Sequence, residues 1–293
     1  MPASRGAGPV IAACCKLVDY HLDVDPISGT VRVEPNSSGM SPADEAALEW
    51  ALRIAASLGG SVMAVTAGPP ESERMLREAL AAGATRAVRV ALERRATSAA
   101  TATGLAAVLG DAAVICCGDA SLDRGTGAMP AFLAGELGAE QALGLVGVHL
   151  PTDGAAMAPS LRVERRLDRG RREHLSVSPR CVLSVEAHTA RLRRAPLEAL
   201  LASRRAAIEL APVRSPAPAP GDRDFEPMRT APYRPRSRVV PAPASLSARD
   251  RVAALTRSSG ERPPARTLRL APAEAAAVLL EALESWGELP VTR

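Results

Sequence analysis

Aromatic side chains are nearly missing from this chain. Two Trp, two Tyr and two Phe are all that 293 residues contain. A single-strand nucleic-acid binder stacks bases on aromatic platforms, and six scattered rings do not build one. Cysteine is scarce and odd in number, five in all, which argues against a disulfide-stapled secreted domain. Lysine is rarer still: of 36 basic residues only Lys16 is a lysine. With abundant Ala and Pro, this replacement of Lys by Arg has the look of codon bias in a GC-rich genome, so basic patches are weak arguments for nucleic acid. The formal net charge is only +4. No run of about 20 apolar residues offers a membrane span. The start, MPASRGAGP, leads into only six apolar residues before Lys16 and Asp19, which does not suit a signal peptide. The expectation is a soluble chain of a reducing, cytoplasmic compartment, without membrane insertion, with a core of Ala, Val, Leu and Ile.

The chain changes character near residue 211. Residues 211–244 hold nine prolines in 34 positions. Proline fixes φ and removes a donor, so this stretch is expected to be an extended linker or strap rather than a packed element. Three parts are therefore expected: a main domain over 1–210, the strap over 211–244, and a helical extension over 245–293. In the extension, 247–255 and 271–286 read as helices. Ala276, Leu279, Leu280 and Leu283 make an apolar face on the second.

Within the first 150 residues, apolar runs at 10–15, 61–66, 87–90, 113–117 and 144–150 alternate with helical patterns at 42–58, 71–82, 97–109 and 127–137. This alternation predicts a doubly wound α/β fold with a mostly parallel sheet. Ser41, Pro42 and Asp44 predict a Ser-x-x-Asp capping box opening the first helix. Residues 161–187 predict an antiparallel hairpin turning at Asp168-Arg169-Gly170. Its six arginines between 162 and 172 read as a solvated face of alternating charge. No period of 20–50 residues repeats.

In such a sheet ligands bind beyond the carboxyl ends of the strands. Three loops qualify: 14–20, 66–70 and 118–127. In the last, Gly125-Thr126-Gly127 offers backbone N–H groups at a helix N-terminus, a geometry suited to phosphate. Thr126 adds a hydroxyl and Arg124 a charged donor, while Asp123 is suited to brace the loop or meet a ribose hydroxyl. The loop is neither a P-loop nor a dinucleotide fingerprint. Cys14-Cys15 and Cys116-Cys117 are adjacent pairs in strands. Their side chains are expected on opposite faces, as buried inert thiols rather than metal ligands. The four His are scattered, and no nucleophile elbow or general acid–base pair is evident. No catalytic residue or metal ligand is therefore assigned, and a carrier or binder is favoured over a hydrolase.

Taken together, these loops resemble those of the electron transfer flavoprotein β-subunit (FixA-like) family. Cys15-Lys16-Leu17-Val18-Asp19 is similar to the family's Val-Lys-x-Val-x-Asp, one residue shorter. Ser41-Pro42-Ala43-Asp44-Glu45 is similar to its Asn-Pro-x-(Asp/Glu)-Glu helix start. Thr66-Ala67-Gly68-Pro69 and Ala81-Ala82-Gly83-Ala84-Thr85-Arg86-Ala87 match two further motifs. Gly118 through Thr126 aligns without gaps to its Gly-x-Gln-Ala-Ile-Asp-x-Asp-Thr loop. The likeness runs over about residues 9–210. The tail past 211 is similar to that of divergent β subunits associated with mycofactocin redox systems.

The resemblance implies an adenine nucleotide alpha hydrolase-like fold and an electron carrier rather than an enzyme. It implies AMP, or a second FAD, in a pocket matching Cys14, Ser41, Ala67, Asp123, Arg124, Gly125, Thr126, Gly127 and Ala128. The redox FAD would be held mainly by an α subunit, with Tyr20 near it. Lys16, at a position where the family also has Lys, is expected at the nucleotide or subunit-interface edge. A dehydrogenase-recognition segment would fall at 191–205, with Arg191, Pro196 and Leu197. The implied partners are the α subunit, flavin dehydrogenases and a quinone-linked oxidoreductase. Ser41, Gly125, Ala128 and Ala195 depart from the family pattern. The alternative reading is a degenerate AMP/ATP-binding sensor or scaffold without electron transfer.

Overall fold

Strands in this chain are built from small and β-branched residues whose alternate members face two different layers. The computed structural model describes residues 8–25, 27–34, 37–94, 96–150, 160–212, 247–250, 252 and 267–286. In chain order the strands are β1 (Val10–Cys14), β2 (Leu17–Asp19), β3 (Leu22–Val24), β4 (Val31–Val33), β5 (Ser38–Met40), β6 (Ser61–Gly68), β7 (Arg86–Ala91), β8 (Val114–Gly118), β9 (Glu140–His149), β10 (Leu161–Arg166), β11 (Arg172–Val177), β12 (Cys181–Val185) and β13 (Glu209–Ala211). The helices are α1 (Pro42–Leu58), α2 (Glu73–Ala82), α3 (Ser98–Leu109), α4 (Met129–Leu137), α5 (Leu197–Ser203) and α6 (Pro272–Trp286).

Among the described residues, nine strands form one sheet in the order β11-β10-β9-β12-β8-β1-β6-β7-β13. The pairings from β9 to β13 are parallel, and β10 joins β9 and β11 in antiparallel fashion. The doubly wound α/β class expected from the alternation is the fold observed. Ile11, Ala13, Val62, Ala64, Val114 and Cys116 pack into the layer of α1 and α2. Ala12, Cys14, Met63, Val65, Ile115 and Cys117 pack into the layer of α3 and α4. Each adjacent cysteine pair is thus split between the two faces, as the two-residue period of a strand requires.

Several expectations change in detail. The 161–187 segment is more than a hairpin. It breaks at Arg180, whose φ is +65°, and β12 then enters the parallel sheet between β8 and β9. The physical reason is burial: all five residues of β12 are inside, while β11 alternates and suits an edge. The strand expected from 144 begins already at Glu140, and Gly144 sits within it at φ +66°. The antiparallel pairs β2–β5 and β3–β4 lie in a region without apolar periodicity, and sequence reading did not find them.

The chain divides into two compact units, Met1–Pro232 and Tyr233–Arg293. In the second, α6 starts with Pro272 in its first turn, and Leu279, Leu280 and Trp286 on it are exposed. The expected strap falls almost wholly outside the described residues, as do four of the nine positions of the helix expected at 247–255, of which Ala248, Arg249, Asp250 and Val252 are helical.

Candidate functional site

After β1 the chain adds β6 and β7 on one side and then crosses back through α3 to place β8 on the other, so the strand order switches between β1 and β8. Beyond the carboxyl ends of these strands lies an open-mouthed cleft with about 130 Å³ of enclosed space. Its apolar walls include Val65, Ala67, Leu105, Met129 and Pro130, and its polar rim includes Lys16, Ser121, Arg124 and Thr126.

Asp44 organises the floor of this cleft. It stands in the first turn of α1 and is 8% exposed. Its Oδ2 accepts the backbone N–H of Lys16 at 3.0 Å and its Oδ1 that of Gly118 at 3.2 Å. One carboxylate therefore ties the segment leaving β1 to the end of β8. Burial pushes its pKa up to about 7, against the two N–H bonds and the Lys16 charge, which act downward. The expected capping box does not form. Ser41 makes no side-chain cap, and its Oγ donates instead to the Ala120 carbonyl at 3.4 Å. Asp44 is pulled from its own helix because two loop N–H groups lie closer to hand. Asp44 was missed as a site residue because a helix-capping role explained it locally.

Above this floor the Lys16 ammonium reaches Asp123 Oδ1 at 2.6 Å and Ser121 Oγ at 3.3 Å. Asp123 also accepts the Arg124 N–H at 2.7 Å. Burial raises the Asp123 pKa, but hydrogen bonds from Lys16, Ser121 and Arg124 outweigh it and hold the group down at about 2. Asp123 thus braces the loop. Gly125 and Gly127 both have φ +61°, and a Cβ on Gly127 would stand 2.7 Å from the Asp119 carbonyl oxygen. These two positions need glycine to make the turn into α4. Among the described residues, the N–H groups of Gly125, Thr126 and Gly127 donate to no protein atom.

The structure gathers Cys14, Lys16, Ala67, Arg124, Thr126, Gly127 and Ala128 on the cleft wall. Asp123 faces the adjoining hollow toward β2 and β4, and Gly125 shapes the loop without lining the cleft. Ser41 reaches the wall only through Ala120. Tyr20 is not brought to the cleft; its hydroxyl donates to the Met40 carbonyl and its ring lies over Gly39. Arg191, Pro196 and Leu197 lie apart from the cleft, on the approach to α5 and its first turn, and α5 packs on α2. Burial pushes up the thiols of Cys15, Cys116 and Cys181, the last to about 12. A hydrogen bond with Cys14 and burial do the same for Cys117. These thiols stay protonated near neutral pH and are poor nucleophiles.

The residues present suit an anionic ligand with an apolar part. The unclaimed N–H groups of Thr126 and Gly127 and the Arg124 side chain would meet an anion at the start of α4, beside an apolar wall of Val65, Leu105 and Met129. The family model of the electron transfer flavoprotein domain matches residues 30–216. The chain belongs to the electron transfer flavoprotein β-subunit, FixA-like family. It is 33% identical over 153 residues to electron transfer flavoprotein subunit beta of Thermoanaerobacterium thermosaccharolyticum, covering 50% of this chain and 56% of that one. It is 32% identical over 171 residues to protein FixA of Rhizobium meliloti, covering 55% and 58%. Against FixA of Azorhizobium caulinodans it is 31% identical over 205 residues, covering 66% and 72%. The chain thus spans somewhat over half the length of the first two relatives. Among the described residues of this family member, no helix is long and apolar enough to cross a membrane.

Proposed function

We propose that this chain is the β subunit of a heterodimeric electron transfer flavoprotein, an electron carrier rather than a catalyst by itself. It would pass electrons from a flavin dehydrogenase toward a quinone-linked acceptor. One observation carries the reading: Thr126 and Gly127, whose N–H groups are unclaimed among the described residues, line a cleft at the switch between β1 and β8, as a nucleotide-binding carrier needs. In this reading the cleft holds AMP or a second FAD, with its phosphate on residues 125–128 and Arg124. Lys16, anchored by Asp123, supplies a positive edge beside it. A flavin stores and releases electrons, and the protein's part is to hold, orient and tune it and to dock partners. The redox FAD would lie mainly on an α subunit. The α5 segment, with Leu197, Leu200 and Leu201 exposed, would meet a dehydrogenase.

Co-expression with an α-like chain tests this. A yellow complex with FAD absorption and releasable AMP is the expected result. A colourless chain that binds ATP tightly, alone and after flavin reconstitution, would instead identify a nucleotide sensor or scaffold.

A further inference from the structure

At the edge of the sheet farthest from β13, three neighbouring strands each present one metal-ligating side chain on the same outward face. They are His149 on β9, Glu164 on β10 and His174 on β11, and their ligand atoms all lie within 4.8 Å of one another. The strand register explains the grouping. Glu164 stands directly opposite His174 on one side and Gly147 on the other. Gly147 has no side chain to occupy the gap, so the Glu164 carboxylate leans diagonally to His149, whose Nε2 lies 3.5 Å from Oε2. Val148 and Val163, one position along, point inward and fix which side of each strand faces out.

We propose that His149, Glu164 and His174 form a binding site for a divalent transition-metal ion of the zinc class, separate from the nucleotide cleft. Two imidazoles and a carboxylate are the donor set of open zinc sites, which keep a fourth position for water or an outside ligand. Tetrahedral zinc with bonds of about 2.0–2.1 Å needs its ligand atoms roughly 3.4 Å apart. The His149–Glu164 pair already meets that spacing, and the two edges to His174, each no longer than 4.8 Å, need only a side-chain rotation to close. The two rings are tilted by 40° with centroids 6.1 Å apart, so they do not stack and block the space between them. Arg172 holds the other carboxylate oxygen, Oε1, at 2.9 Å. It orients Glu164 as an outer partner does, while its charge weakens cation binding. A metal here would join three strands and pin the β10–β11 hairpin to the sheet.

Titration of the full chain with zinc chloride, followed by calorimetry and by visible absorption after cobalt substitution, tests the site. One saturable ion per chain is expected. His149→Ala, His174→Ala and Glu164→Gln should each weaken binding by roughly tenfold or more, a difference of about 1.4 kcal/mol per factor of ten. Arg172→Ala should tighten it, because it frees Oε1 and removes a positive charge. Zinc should raise the melting midpoint of the parent chain and not of the histidine variants. These are surface substitutions, and unfolding by circular dichroism confirms that each variant folds. Zinc uptake that is absent, or that is unchanged in all three ligand variants, would overturn the site.

Discussion

Asp44 Oδ1 accepts the Gly118 N–H at 3.2 Å, joining the first turn of α1 to the last residue of β8. The other oxygen of the same carboxylate holds the Lys16 N–H. Removing one acceptor oxygen leaves a buried N–H without a partner, which costs about 1–3 kcal/mol. Asp44→Asn does this, because its amide turns a donor toward one of the two N–H groups. The cost also depends on pH. Burial lifts the Asp44 pKa from 3.8 to about 7, so the folded chain binds the proton more tightly than the unfolded one. The native aspartate therefore contributes most below about pH 4, and that contribution is lost as pH rises to about 7. Urea unfolding at pH 5 and pH 8 should show the penalty of Asp44→Asn shrinking at the higher pH. A penalty equal at both values would mean that Asp44 is ionised throughout.

Gly118 lies so close to α1 that an added Cβ would stand 2.5 Å from Asp44 Oδ1 and 2.9 Å from the Ala43 carbonyl carbon. Backbone cannot yield as a flexible side chain can. Gly118→Ala is expected to destabilise by about 1–3 kcal/mol through overpacking. Gly110 is the control: nothing lies within 4 Å of its added Cβ, and its φ of −55° is helical. Gly110→Ala should be neutral or stabilising by about 0.4–1 kcal/mol. Thermal unfolding of the two variants separates close approach from chain entropy.

Glu49, on the buried face of α1, holds the segment leading to α5. Its carboxylate accepts from Arg53 at 2.8 Å and from Arg193 Nε at 3.0 Å, Nη2 at 3.2 Å and backbone N at 3.2 Å. Burial alone would raise its pKa, but Arg193 and Arg53 hold it below the ordinary carboxylate value. Trp50 adds a second tie, its indole N–H donating to Thr189 Oγ1 at 3.1 Å. Glu49→Gln removes the charge and part of the acceptor capacity. A loss of about 1–3 kcal/mol is expected, with faster amide exchange confined to about residues 187–197. Uniform exchange across the whole domain would show that Glu49 supports global folding instead.

The layers of the fold were legible because two periods dominate the sequence. Apolar runs with small residues in β1, β6 and β8 alternate with the helical spacing of Ala47, Trp50, Ala51, Ile54 and Leu58. Burial then places β12 at the centre of the sheet and β11 at its edge, although the two follow one another in the chain. That distinction was hidden, since residues 174–187, which hold both, read as one strand after the turn at Asp168-Arg169-Gly170. The phosphate-suited loop was legible from Gly125 and Gly127, whose conformation demands glycine. Asp44 was not legible as part of the site. Its two partners are 28 and 74 positions away in sequence, and only the packing of α1 across the strand ends brings them together. Tyr20 was placed near the flavin by likeness alone; its hydroxyl donates to the Met40 carbonyl of β5.

The single lysine is where charge and function can be separated. Lys16 and Asp123 meet at 2.6 Å with side chains 42% and 37% exposed. Ion pairs this open to water are worth about 0–1 kcal/mol to folding. Lys16→Ala should therefore leave the melting midpoint almost unchanged. Its effect on the cleft should be larger, because it strips the counter-ion from Asp123 and leaves a carboxylate beside the place proposed for a phosphate. AMP affinity, measured by calorimetry on the full chain, is expected to fall roughly tenfold, or about 1.4 kcal/mol. Asp123→Asn added to Lys16→Ala removes that stranded charge and should recover much of the loss. Lys16→Arg is expected to fall between, since a planar guanidinium does not reproduce a compact ammonium held at once by Asp123 and Ser121. Raised salt should narrow all three differences. If Lys16→Ala binds AMP as the parent chain does, the ion pair is only a brace between two loops, and the survival of this one lysine has no bearing on the nucleotide.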